Sequence, residues 1–293
     1  MNLSSPGEVK ALLQKNGFNF SKALGQNFLI NPGVCPRMAE EAIPGPEYGV
    51  IEVGPGIGVL TVELAKRAKK VLSIELDERL LPILEETLSP YDNVKVFHGD
   101  VLEVDLHQLI AEEFTEDGTV MPLVLCANLP YYITSPVLMK LLSEDLPLQS
   151  ITVMVQKEAA DRLCADVGTR EAGAVTVAIQ YYAEAEQLFF VSKGSFLPAP
   201  KVDSEVIRLS LRSFKGEAPA LSPEEAGRFF KMVQGGFSQR RKTIMNSFSA
   251  ALGMSKADLG ELLDSVDVPR TARIEQLTMD QLLAVYKASR EVV

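Results

Sequence analysis

Short apolar runs alternate with stretches of helical period along most of this chain. Residues 49–53 form an apolar run that halts at Gly54, the pattern of a strand buried on both faces. Residues 59–68 carry apolar positions at helical spacing. A second strand is predicted over 71–75, a helix over 77–88, a third strand over 94–97 and a fourth over 120–127, with the next helix opening at 136–142. The runs 151–155, 175–182, 187–191 and 206–211 complete the strand candidates. Such alternation implies right-handed crossovers and a mostly parallel sheet with helices on both faces. Ahead of it, residues 1–48 read as an arm with scattered helix signals, rich in Gly, Asn and Pro around 25–33.

The pattern changes near Ser213. Residues 214–220 have the composition of a linker, and no strand pattern follows. Ser222-Pro-Glu-Glu225 offers an N-cap, a proline at the first helical position and acids in the first turn. Further helical patterns start near Arg240 and Ser255 and run from 279 to 290. The chain thus reads as an α/β domain over 1–213 followed by a small all-helical domain over 214–293.

Composition narrows the function classes. With 293 residues, 46% hydrophobic and 23% charged, the chain can bury a sizeable core. Its apolar stretches, such as 174–179, fall far short of the roughly 20 residues of a membrane helix. Glu8, Lys10 and Lys15 interrupt any apolar leader at the start, so no secretory signal is expected. Cys35, Cys126 and Cys164 are odd in number and lack metal-ligand spacing, which suits a reducing cytoplasm. Only two histidines, His98 and His107, are present, which speaks against paired-histidine and zinc chemistry; no metal is expected. The net charge of −10 is unevenly spread: residues 193–242 hold ten Lys/Arg against five Asp/Glu. An acidic body with one basic segment can meet nucleic acid along that segment.

Chemistry concentrates at successive strand ends. Glu52-Val-Gly-Pro-Gly-Ile-Gly58 follows a strand and opens a helix, and Gly54, Gly56 and Gly58 permit a tight turn and close backbone approach to a ligand. Glu75, ending the second strand, can accept both ribose hydroxyls of an adenine nucleoside. Asp100, after the third strand, can take the adenine amino group. That much would hold NAD or S-adenosylmethionine. The fourth strand discriminates, because it ends in Asn128-Leu-Pro-Tyr131. An exocyclic adenine amine is a poor nucleophile, its lone pair being delocalised into the ring. The Asn128 side-chain oxygen and the Leu129 carbonyl can accept hydrogen bonds from its two N–H groups and localise that pair, while Tyr131 stacks on the base. No dedicated general base is required, and catalysis reduces mainly to positioning.

These motifs together resemble the ribosomal RNA adenine N6,N6-dimethyltransferases, in particular the bacterial small-subunit (16S rRNA) family, over nearly the whole chain. Lys22-Ala-Leu-Gly-Gln-Asn-Phe-Leu29, Gly54-Pro-Gly-Ile-Gly-Val-Leu-Thr61, Ile74-Glu-Leu-Asp77, Gly99-Asp100 and Asn128-Leu-Pro-Tyr131 match in order. Val155-Gln-Lys-Glu158, Phe196-Leu-Pro-Ala-Pro-Lys-Val-Asp-Ser204 and Phe237-Ser-Gln-Arg-Arg-Lys-Thr243 continue the series. The resemblance implies a Rossmann-like S-adenosylmethionine methyltransferase sheet with a small helical C-terminal domain. It implies that Asn27, Leu29, Gly54, Glu75, Asp100 and Asn128 line the S-adenosylmethionine site, with Gly56 in the same turn. Asn128, Leu129 and Tyr131 would hold the target adenine, with Phe196 on its other face. The implied substrate is a pair of adjacent adenosines in the loop of the 3′-terminal hairpin of 16S rRNA, each dimethylated late in assembly of the 30S subunit. A cytoplasmic monomer is the family's pattern.

Two alternatives share these motifs: a 23S rRNA adenine N6-methyltransferase of the macrolide-resistance type, and a factor serving mainly as a 30S assembly checkpoint. Arg240, Arg241 and Lys242 are the candidate RNA contacts, with Lys10, Lys15 and Lys22 as possible additions. One stretch departs from the family, which commonly places an aromatic residue before the glycine matching Gly173 and then a strand; here it reads Glu171-Ala-Gly-Ala-Val-Thr-Val177.

Overall fold

The computed structural model describes residues 1–20, 26–217 and 219–290. Its helices are α1 (Pro6–Lys15), α2 (Val34–Ala42), α3 (Val59–Ala65), α4 (Leu81–Leu88), α5 (Leu106–Phe114), α6 (Thr134–Ser143), α7 (Lys157–Leu163), α8 (Ala174–Tyr182), α9 (Pro223–Ser238), α10 (Ile244–Leu252), α11 (Lys256–Ser265) and α12 (Met279–Ser289). The strands are β1 (Phe28–Leu29), β2 (Gly49–Val53), β3 (Lys70–Glu75), β4 (Val94–His98), β5 (Thr115–Glu116), β6 (Thr119–Val120), β7 (Leu123–Asn128), β8 (Leu148–Gln156), β9 (Ala183–Val191), β10 (Phe196–Leu197) and β11 (Ser204–Leu211).

Seven strands form the central sheet in the order β4-β3-β2-β7-β8-β11-β9. The pairs from β4 through β8 are parallel, and β11 runs antiparallel to β8. Every residue of β2 is buried, as expected of a central parallel strand covered on both faces. The chain steps from β2 outward to β3 and β4, then returns to add β7 on the other side of β2. This reversal opens a crevice at the carboxyl ends of β2 and β7, where ligands bind in open α/β sheets. A separate two-stranded ladder pairs β1 with β10, setting Leu29 opposite Phe196 and Phe28 opposite Leu197.

Most predicted strands lie where expected, with two corrections. Residues 175–182 are not a strand but helix α8. The run is largely apolar because most of the helix is enclosed, with Thr176, Val177, Ala178, Ile179 and Tyr181 all buried and Gln180 exposed. Gly173 therefore precedes a helix rather than a strand, and its N–H donates to Thr176 Oγ1 at 2.9 Å. The fourth strand begins at Leu123 rather than 120. Val120 belongs to the β5–β6 hairpin, which turns at Asp117 and Gly118, both with positive φ. In the C-terminal region, the helical pattern placed near Arg240 starts at Ile244.

The chain divides into two compact units, residues 1–160 with 186–214, and residues 161–185 with 215–293. Segment 161–185, placed with the sheet on sequence grounds, is thus part of the second unit. There Tyr181 packs on Phe229 and Phe230, with ring centroids 6.0 and 5.5 Å apart. Among the described residues no helix is long and apolar enough to cross a membrane.

Candidate active site

A cleft enclosing about 1050 Å³, its open mouth included, lies at the carboxyl ends of β2, β3, β4 and β7. It gathers Asn27, Leu29, Gly54, Gly56, Glu75, Asp100, Asn128, Leu129, Tyr131 and Phe196, all ten residues expected for cofactor and target base. The C-terminal candidates Arg240, Arg241 and Lys242 belong to the second unit.

The floor is the turn after β2. Gly56 and Gly58 adopt φ values of +61° and +90°, which side-chain-bearing residues rarely take. A Cβ at Gly56 would also meet the Phe28 ring at 3.1 Å, and one at Gly58 would meet Leu88 and Thr87 at 3.1 Å. The turn is tied to the end of β3: Glu75 Oε2 accepts from the Gly56 amide at 3.2 Å and Oε1 from the Asp77 amide at 2.8 Å. Burial pushes the Glu75 carboxyl up, with the Asp77 charge adding to it against the amide hydrogen bonds. Each Glu75 oxygen retains a second lone-pair direction for a ligand hydroxyl. Asp100 uses Oδ1 to accept from the Leu102 amide at 2.9 Å.

Beneath the turn sits Glu52, 1% exposed. Its Oε2 accepts from Ser73 Oγ at 2.6 Å and Thr61 Oγ1 at 2.7 Å, while Oε1 has no partner. Desolvation pushes this carboxyl up to about 7 against the two hydroxyl hydrogen bonds.

Asn128 ends β7 at the opposite wall. Its side chain is half-buried and makes no hydrogen bond among the described residues, although it lines the cleft. Leu129 is buried, and the chain then turns through Pro130, whose carbonyl accepts from the Ile133 amide at 3.1 Å. The Tyr131 phenol is held by Ser204 at 2.8 Å, and burial raises its pKa. Phe196 both lines the cleft and, at 3% exposed, belongs to the hydrophobic core. Its position is fixed by the β1–β10 ladder and by the Ile30 amide donating to the Ser195 carbonyl at 2.8 Å. The N-terminal motif and the Phe196 motif are therefore neighbours across the cleft rim. Gln26 Nε2 donates to Asp77 Oδ2 at 2.7 Å, tying the same segment to the end of β3. Residues 22–25 of that motif, Lys22 included, lie outside the described residues.

Sequence reasoning gave no role to Glu52, Gln26, Leu76, Tyr132 or Ser204. Glu52 was legible as the lone acid inside an apolar strand; the others gain meaning only from their spatial neighbours.

The basic trio divides. Arg240 Nη2 donates to the Arg170 carbonyl, and its Nε lies 3.9 Å from Glu275 Oε2. Arg241 and Lys242 are exposed and have no ion-pair partner among the described residues. In the arm, Lys15 pairs with Glu86 at 2.8 Å.

Comparison with known proteins bears on this geometry. A family model described as "Ribosomal RNA adenine dimethylase" matches residues 17–291. A Geobacillus sp. (strain WCH70) protein named ribosomal RNA small subunit methyltransferase A is 45% identical, covering 100% of this chain and 99% of its own. The protein of that name from Bacillus pumilus is 47% identical over 96% of this chain and 94% of its own. Among solved structures, a dimethyladenosine transferase from Plasmodium falciparum is similar with a TM-score of 0.69 at 26% identity, covering 88% of this chain and 95% of that one. The 23S rRNA methyltransferase ErmE is similar with a TM-score of 0.63 at 29% identity, over 90% of this chain and 100% of that one.

Proposed function

The chain belongs to the ribosomal RNA adenine dimethylase family, and from that premise we propose that it dimethylates N6 of two adjacent adenosines in the 3′-terminal hairpin loop of 16S rRNA. Relatives at 45–47% identity carry the small-subunit name, whereas the 23S rRNA methyltransferase is only 29% identical, which favours the small-subunit substrate. The same reading makes the enzyme a cytoplasmic monomer acting on the immature 30S subunit.

The cleft fits S-adenosylmethionine on its own chemistry. A left-handed glycine turn leaves backbone exposed beside Glu75, whose oxygens suit a ribose diol, and Asp100 offers an acceptor for an adenine amine. Asn27, Leu29 and Gly54 complete the wall. Bound there, S-adenosylmethionine supplies a methyl group activated by its sulfonium.

The observation that carries the reading is Asn128: a half-buried amide on the cleft wall with no hydrogen-bond partner among the described residues, next to Tyr131. An amide left free of protein partners on a cleft wall has both its acceptor and its donors available to a ligand that enters. Its oxygen, with the Leu129 carbonyl, accepts hydrogen bonds from the two N6–H groups of the target adenine and keeps the nitrogen lone pair out of the ring. Tyr131 stacks on the base, and Phe196 lies at the opposite side. After methylation the nitrogen is acidic and loses its proton to water. Catalysis is mainly orientation at near-attack distance.

The test is mass mapping of N6,N6-dimethyladenosine in 16S rRNA from cells lacking the protein, complemented with wild type or Asn128→Ala. The modification should vanish on deletion, return with wild type and stay absent with the variant. Unmodified 23S rRNA in the deletion strain, with 16S rRNA unchanged, would overturn the assignment.

A further inference from the structure

Two consecutive tyrosines stand at the mouth of the cleft, and their surroundings differ. The Tyr131 hydroxyl is committed to Ser204. The Tyr132 hydroxyl makes no hydrogen bond among the described residues, and the residue is 53% exposed. Leu76, directly after Glu75, is 46% exposed. Among the described residues these two are the large hydrophobic side chains that are both exposed and part of the cleft wall. Exposed apolar surface gathered at the mouth of a concave site marks a place that a ligand covers.

Tyr132 also belongs to a particular side of the cleft. After partial burial, the charges of Asp100 and then Glu75 are what oppose its ionisation. Both carboxylates share the cleft wall with it. Its backbone is held in a short 3-10 turn, Tyr131–Ile133, by the Ile133 amide and Thr134 Oγ1, both donating to the Pro130 carbonyl. The scaffold is therefore fixed while the ring itself is uncommitted.

We propose that Tyr132 is a cofactor-retaining residue: its ring closes opposite Leu76 on the nucleoside of the bound cofactor, leaving Tyr131 to serve the target base. The proposal rests on reading the cleft as an S-adenosylmethionine site. The physical basis is the apolar and stacking contact an aromatic ring offers any purine face, with no requirement for the phenol oxygen. One motif then feeds both halves of the reaction, Asn128 to Tyr131 holding the acceptor and the next residue holding the donor.

Titration calorimetry with S-adenosylhomocysteine, in the absence of RNA, tests this without turnover. Tyr132→Ala should weaken binding about tenfold, the scale of losing one ring–base stack, while Tyr132→Phe binds like wild type and Tyr131→Ala changes affinity little. Melting temperatures should be unaffected at so exposed a position; if the alanine variant melts early, Tyr132→Asn replaces it in the comparison. Wild-type affinity in both ringless variants overturns the proposal, as does an equal loss in Tyr132→Phe. A rise in KM for RNA with unchanged S-adenosylhomocysteine binding would assign the ring to the substrate side and overturn it too. Failure of the wild-type protein to bind S-adenosylhomocysteine would instead remove the cofactor reading itself.

Discussion

The phenol oxygen of Tyr131 lies 2.8 Å from Oγ of Ser204, which begins the antiparallel strand β11. This contact anchors the residue that would stack on the target base to the sheet rather than to its own loop. Tyr131→Ala should therefore reduce methyl transfer far more than S-adenosylhomocysteine affinity. Ser204→Ala, which removes one hydrogen bond worth about 0.5–1.5 kcal/mol, should lower kcat by roughly two- to tenfold with cofactor affinity intact. Single-turnover rates beside calorimetry separate the two effects; equal losses of both would make Tyr131 merely structural.

Glu75 joins the glycine turn to the ligand side of the cleft through Gly56. Glu75→Ala should weaken cofactor binding by roughly 1.5–3 kcal/mol, the scale of charge-assisted hydrogen bonds. Because burial raises the carboxyl above its ordinary 4.5, protonation removes an acceptor pair at a higher pH than for an exposed glutamate. Affinity measured by calorimetry should fall on acidification through that raised pKa, and in Glu75→Ala the acid limb should disappear. Unchanged affinity in the variant would take Glu75 out of the site.

The strand ends that form this cleft were legible because each carries a local signal: an apolar run, then Gly54, Glu75, Asp100 or Asn128. Helix α8 was not, because Ala174-Val-Thr-Val-Ala-Ile179 is apolar but for Thr176, and so short an apolar run does not reveal its period. Its helical state comes from enclosure among Phe229, Phe230 and their neighbours, a tertiary effect. The hairpin turning at Asp117-Gly118 was missed, although that dipeptide favours two-residue turns, and Val120 beyond it was absorbed into the following strand. The pairing of Leu29 with Phe196 has no local signature, being a contact between distant segments. The same holds for Tyr131 and Ser204, and for the division of the basic trio.

Glu52 offers a pH signature of the fold. Its carboxyl moves from 4.5 to about 7 on burial, so between those values the folded state binds more protons than the unfolded one. Unfolding free energy must then fall as pH rises through this window, by an amount on the order of 3 kcal/mol at its upper end. Glu52→Gln keeps an oxygen acceptor for Ser73 and Thr61 but cannot ionise. Melting temperatures of wild type and variant between pH 5 and 8 should diverge, the variant losing less stability as pH rises. Parallel curves would mean that Glu52 does not titrate in that window.

Arg240 and its two neighbours make different commitments, and RNA binding should report the difference. Arg240 spends its guanidinium on the Arg170 carbonyl and lies beside Glu275, within the second unit. Removing it should lower the melting temperature and leave the salt dependence of binding nearly unchanged. Arg241 and Lys242 are exposed without ion-pair partners among the described residues, so their charges are available to phosphates. A phosphate contact made by each would contribute about 0.7–0.9 to the slope of log K against log salt. The double variant Arg241→Ala, Lys242→Ala should therefore bind small-subunit RNA more weakly, with a slope shallower by about 1.5 and an unaltered melting temperature. Filter binding across a salt series measures this directly. A slope that falls for Arg240→Ala and not for the double variant would reverse the assignment, making the Arg170 contact incidental and placing the phosphate at Arg240.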